Sequence, residues 1–298
     1  MAARKKAELL ELVKRGDLET LQRLEPGVLV GTGKEGAFDK YGCKCIHWAA
    51  GNGHLAVLRW LVHTGADPSD VCAGSLRQPA HYAARNGHLP CLRYLLEGEP
   101  GNPIIPFTSA TSTTSASSTR PESAPTPTTP TTPTTTPTST TTTAPTSPFP
   151  CDLNALAKHA VSPFQLAVWQ NQIEVAQWLC SHPQVMADPR QVNEFDCGSL
   201  HWLGTAPTSA AGNRGEALLP MAQWLLDKGC DVRGVQRSGH TVLHKAAWGN
   251  HSLLCRWLHL HCGMWDDTQD RAGNYAADVA TMGKHHTLAG WLRGSCSR

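Results

Sequence analysis

No window of the sequence approaches 18 uninterrupted apolar residues, which excludes a membrane-spanning helix. Charge of one sign is also scarce. A net charge of +2 and an isoelectric point near 8.0 create no broad single-sign field, so neither nucleic acid nor an anionic membrane is the expected partner. The opening Met-Ala-Ala-Arg-Lys-Lys runs straight into Glu8, Glu11, Lys14 and Arg15, without the apolar core of an export signal. A soluble, intracellular chain of the cytoplasm is therefore expected, with nothing in the sequence set against the nucleus. In that compartment eleven cysteines, an odd number scattered through helical stretches, read as reduced core residues and not as a disulfide framework.

What the sequence does have is repetition. Gly239 to Leu258 reads Gly-His-Thr-Val-Leu-His-Lys-Ala-Ala-Trp-Gly-Asn-His-Ser-Leu-Leu-Cys-Arg-Trp-Leu, a Leu-His-Lys-Ala-Ala run, a glycine break and a second apolar helix. His47 and His81 are 34 residues apart, as are His244 and Asp278, and Trp257 and Trp291. A period of this size signals an array of stacked supersecondary units. Although 298 residues would accommodate two ordinary domains, one solenoid fits the length as well.

The chain resembles the ankyrin-repeat family, most fully at Ser238 to Gly263 and at Asp39 to Asp67, where Asp39-Lys-Tyr-Gly42 and Gly65-Ala-Asp67 bracket the unit. The resemblance implies an all-α solenoid of helix-turn-helix repeats with short hairpin loops, interrupted by a Thr/Pro-rich insertion. Residues 7 to 25 place Leu9, Leu10, Val13, Leu18, Leu21 and Leu24 at helical spacing around Gly16-Asp17, without the His signature. Segment 1–38 is accordingly an N-terminal capping helix pair and loop, since a terminal unit needs a polar outer face.

Segment 39–98 holds repeats 1 and 2, anchored on His47 and His81. From Gly101 to Pro150 the composition turns abruptly to Thr, Pro and Ser, with too little apolar surface to offset chain entropy, so segment 99–150 is expected to be disordered. Segment 151–298 holds repeats 3 to 6 and the C-terminal cap. Gln165 stands in the His slot of repeat 3, which leaves its local hydrogen bonds open. In repeat 4 the step from His201 to Trp224 is 23 residues instead of 13, predicting a short first helix and a longer loop within Gly204 to Glu216. Asp278 replaces His in repeat 6. Trp60, Tyr94, Trp178, Trp224, Trp257 and Trp291 form a ladder, read as packing between repeats, and Trp257→Ala is predicted to cost about 3 kcal/mol or more.

Several patterns invite chemistry. Gly31-Thr-Gly33-Lys-Glu-Gly36 satisfies a dinucleotide fingerprint on paper, but no helix opens on its last glycine, position 56 is Ala, and Glu35 sits where a phosphate loop needs Ser or Thr. Cys43, Cys45 and His47, like Cys255, His259, His261 and Cys262, resemble zinc-ligand clusters without the usual spacing. A cryptic nucleotide- or zinc-binding protein built on these is the alternative reading. The histidines fall into two slots, His47, His81, His201 and His244, then His54, His88, His251 and His285 seven residues later. No nucleophile recurs beside them. No enzyme activity and no cofactor are expected.

The family resemblance implies binding of a protein partner through hairpin tips and the start of the concave helices, by a chain expected to be monomeric. Carried onto this sequence, it selects Lys40 and Tyr41 in repeat 1 and Arg77, Arg85 and Asn86 in repeat 2. Repeat 3 gives Lys158, His159, Trp169 and Gln170, and repeat 4 gives Glu194 and Phe195. Repeat 5 adds Arg237, His240 and Trp248, and repeat 6 adds Arg271 and Met282. Aromatic and arginine side chains of this kind are enriched at interface hot spots. The basic members suit an acidic or carbonyl-rich segment.

Overall fold

The computed structural model describes residues 2–23, 39–98, 151–211 and 213–296. The Gly31–Gly36 motif and the Thr/Pro-rich tract lie outside the described residues. Among the described residues the chain is helical, without strands. A helix pair, Ala2–Arg15 and Leu18–Gln22, begins it. Gly16 turns the chain at φ 76°, and Asp17 starts the second helix by accepting the Thr20 N–H at 3.0 Å.

Six two-helix units follow among the described residues. Their first helices are Cys45–Gly51, Pro79–Arg85, Pro163–Trp169, Ser199–Gly204, Val242–Trp248 and Ala276–Met282. Their second helices are Leu55–His63, Leu89–Glu97, Ile173–Ser181, Leu219–Asp227, Ser252–Cys262 and His286–Ser295. Each first helix packs on the next, and the helix Ala2–Arg15 packs on the first of the row. Close approach there requires small side chains. Ala49, Ala50, Ala83, Ala84, Ala167, Ala246, Ala247 and Ala280 are wholly buried along it. One unit leaves its apolar face open and its neighbour covers it, so the core runs continuously from Leu9 to Cys296.

The His slot is the forward fastener. Lys44 N–H donates to His47 Nδ1 at 3.1 Å, which fixes the tautomer and leaves Nε2–H to donate to Arg77 O at 3.1 Å in the next repeat. His81 repeats this toward Val161 O at 3.3 Å, His201 toward His240 O at 3.2 Å and His244 toward Asn274 O at 3.1 Å. Gln165 resolves the question left by its sequence. Its Oε1 accepts Ser162 N–H at 3.2 Å and its Nε2 donates to Gln191 O at 3.1 Å, so an amide reproduces both halves of the imidazole's work. Asp278 keeps only the accepting half, taking Tyr275 N–H at 3.0 Å. No repeat follows it among the described residues.

The second His slot fastens backward. His54 Nε2 reaches Lys14 O at 2.8 Å, His251 reaches Ala206 O at 3.0 Å, and His285 reaches Trp248 O at 3.1 Å. The rings meet the end of the preceding unit's first helix, at Lys14 and Trp248, or the loop just after it, at Ala206. A Cβ on Gly53, already at φ 76°, would stand 2.5 Å from the His88 ring, so only glycine fits.

Repeat 4 departs from expectation in part. Its first helix is short, but the inserted residues coil into a short helix, Thr208–Ala211, and a 3₁₀ turn, Asn213–Leu218, instead of an open loop. Their carbonyls are held from both sides. Asn171 Nδ2 donates to Ala210 O at 3.2 Å and Ala217 O at 2.7 Å, while His251 takes Ala206.

The tryptophan ladder occupies one environment. Trp60, Trp178, Trp224, Trp257 and Trp291 are each half-buried against the core, and Tyr94 is buried. Arg59 rides over Tyr94 at 5.7 Å and Arg256 over Trp291 at 4.8 Å, so part of the exposed second-helix column is fastened to the next repeat. Half-burial lowers the expected cost of Trp257→Ala to about 2 kcal/mol, below the value for a fully buried ring.

Candidate functional site

The hairpins before each first helix make one edge of the array. Asp39 Oδ1 accepts Tyr41 N–H at 2.8 Å and Cys43 N–H at 2.9 Å, and Asn193 and Asp270 repeat the turn. Successive tips are joined by their backbones. Gly74 N–H donates to Tyr41 O at 3.2 Å, Lys158 to Ser75 at 3.0 Å, Glu194 to His159 at 3.3 Å, Arg237 to Phe195 at 2.9 Å and Arg271 to Ser238 at 3.0 Å. The main chain of the tips is committed to this ladder, while Tyr41 and Phe195 remain exposed on them.

Beside the ladder lies a cavity of about 570 Å³, lined from repeats 2 to 5. Arg77, Phe195 and His240 from the expected groove line it, together with Lys158 and His159. Phe195 is 40% exposed and tilts against the His159 ring at 5.1 Å. Sequence reasoning missed Trp202, Thr205 and Lys245 on the opposite wall. Trp202 and Lys245 follow directly after the His slot, where Trp48 and Tyr82 also stand, and that recurring large residue was the available signal.

Other expected residues sit along the array without entering the cavity. Tyr41 at 63% exposure, beneath the Lys40 ammonium at 4.9 Å, marks one end. Met282, 58% exposed, and exposed Arg271 mark the other. Trp248 is 56% exposed on the first helix of repeat 5. Half-buried Gln170 sits just beyond the first helix of repeat 3. Three of the residues work inside the stack. The Arg85 guanidinium lies 5.0 Å from the Trp169 ring, Trp169 Nε1–H donates to Thr205 O at 2.9 Å, and Asn86 donates to Gly51 O. Removing Trp169 or Arg85 therefore disturbs stacking as well as surface.

Burial pushes the imidazoles down, His81 and His201 to about 4, so both are neutral near pH 7. Desolvation likewise lowers Lys245, with the Cys197 thiol beside it acting weakly the other way. Cys43 Sγ lies 2.7 Å from Cys72 Sγ and 3.1 Å from the Tyr82 hydroxyl, and burial raises the Cys43 thiol to about 12. Cys255 is buried within the second helix of repeat 5, and His259 Nδ1 bonds Met264 O at 2.9 Å. Among the described residues no three His, Cys, Asp or Glu side chains converge as a metal site would require. No helix there is long and apolar enough to cross a membrane.

No curated protein matches the chain. A family profile described as "Ankyrin repeats (many copies)" matches residues 46–96, the span from the first helix of repeat 1 to the second helix of repeat 2. That match makes residues 46–96 ankyrin repeats, and the units that follow them in the stack reuse the same fasteners.

Proposed function

We propose that the chain is a noncatalytic adaptor that holds a protein partner in the groove between its hairpin tips and first helices. Ankyrin repeats are generally protein–protein interaction modules, and fold alone does not choose the partner or the surface. The observation that carries this reading is exposed Phe195 on the wall of a formed cavity, with Tyr41, Trp248 and Met282 also left exposed on hairpins and first helices of other repeats. Large apolar side chains left open in a row mark interaction sites. The recurring histidines are used up by backbone carbonyls, which gives them a structural role in place of acid–base chemistry.

The test sets the groove against the outer face. Phe195→Ala with Trp248→Ala is compared with Arg93→Ala with Gln177→Ala, which lie exposed on second helices. Proteins captured from native extract should be lost with the first pair and kept with the second, with both melts close to that of the parent. Loss with the second pair alone would place the binding surface on the second helices and refute the groove.

A further inference from the structure

The cavity at repeat 4 has an unbalanced lining. Arg77, Lys158 and Lys245 reach it along with the imidazoles of His159, His201 and His240, and no carboxylate does. The acids nearby are already matched at its rim, Glu194 with His159 at 3.3 Å, Asp196 with Arg237 at 3.6 Å and Asp270 with His240 at 3.2 Å. Arg77, Lys158 and Lys245 have no carboxylate partner among the described residues.

Lys245 is the informative member. It is half-buried, its ammonium is partly stripped of water, and it makes no hydrogen bond or ion pair among the described residues. An uncompensated charge in such a place destabilises the fold. Packing does not demand it, because the corresponding positions hold Trp48, Tyr82 and Trp202. Phe195 and Trp202 give the same cavity apolar walls. The lining thus suits an anion carried on a partly apolar chain.

Resting on the groove reading above, we propose that this cavity seats an acidic segment of the partner protein, an Asp or Glu carboxylate meeting Lys245 and Arg77 while Lys158 screens a neighbouring acid at the exposed side. Charge complementarity then sets which segments dock, and apolar side chains next to the acid pack on Phe195 and Trp202.

A display library of random 12-residue peptides selected on the full chain tests this. Recovered peptides should carry an excess of Asp and Glu, and a labelled synthetic copy should bind more weakly as salt rises. Lys245→Met should weaken that peptide about tenfold or more while raising the melting temperature, whereas Lys245→Arg should retain most binding. A purely structural lysine would show the opposite, lower stability with unchanged affinity. Recovered peptides without acidic excess, or equal affinity for Lys245→Met, would overturn the proposal. If such peptides still lose affinity on Phe195→Ala, the groove reading survives without its charge preference; indifference to both variants removes both. A phosphothreonine peptide copied from residues 124–138 that outcompetes every selected acidic peptide would assign the cavity to the chain's own segment and likewise refute an acidic partner.

Discussion

Repeats 4 and 5 are neighbours built on unequal terms. In repeat 5 the Thr241 hydroxyl and N–H both lie on His244 Nδ1, at 2.9 and 3.2 Å, Nε2 is committed forward, and His251 reaches back. In repeat 4 a glycine, Gly198, precedes the first helix, His201 Nδ1 has no partner, and the helix is one residue shorter. Repeat 4 is nevertheless held in line, because repeat 3 supplies Trp169 and Asn171 and repeat 5 supplies His251. Regularity in the neighbours permits irregularity between them, and the cavity opens at this unit.

The comparison breaks most sharply in acid. An unfolded imidazole titrates near about 6.5, whereas folded His81 and His201 are held to about 4. As pH falls through that window the unfolded chain takes up protons first, so stability declines from about pH 6.5 and levels off below about pH 4, by roughly 3 kcal/mol for each group. His201→Gln, borrowing the solution used by Gln165, should remove its share of this acid loss, measured by urea denaturation at successive pH values. An unchanged acid limb would mean that His201 is not the buried neutral group described.

Next in size, His244→Ala should cost about 3 kcal/mol, because it strands Thr241 N–H and Asn274 O in a buried setting. His201→Ala should cost less, about 1 to 2 kcal/mol, having one bond to lose. Equal losses at neutral pH would erase the distinction between the two units. Trp257→Ala, at about 2 kcal/mol in the thermal melt, lies between them. The smallest contrast is between glycines. Gly273→Ala meets strain alone, since it has φ 83° but nothing within 4 Å, and should cost about 1 kcal/mol. Gly53→Ala adds the clash with His88 and should exceed it.

Much of this was legible beforehand, for identifiable reasons. The spacing of His47, His81 and His244 and the ladder from Trp60 to Trp291 are covalent facts that stacking converts directly into contacts. The equivalence of Gln165 to histidine was hidden, because it depends on where an amide's two ends meet two backbone groups, which residue type does not reveal. Lys245 was hidden for a different reason. One residue past the His slot, it reads as an ordinary helical position, and only the absence of a carboxylate around it in space makes it unusual. Arg85 and Trp169 were read as groove residues, but both are half-buried, and their mutual contact and the bond to Thr205 were beyond a pattern that treats repeats one at a time.

The row of hairpin tips has a direction. Every bond in it runs from an amide of the later unit to a carbonyl of the earlier one, from Gly74 N–H on Tyr41 O to Arg271 N–H on Ser238 O. The edge is chemically polarised like an arrow, donor at its tail and acceptor at its point. An extra unit that extends this row, whether inserted by duplication or offered by another chain, joins it in the same sense, head to tail.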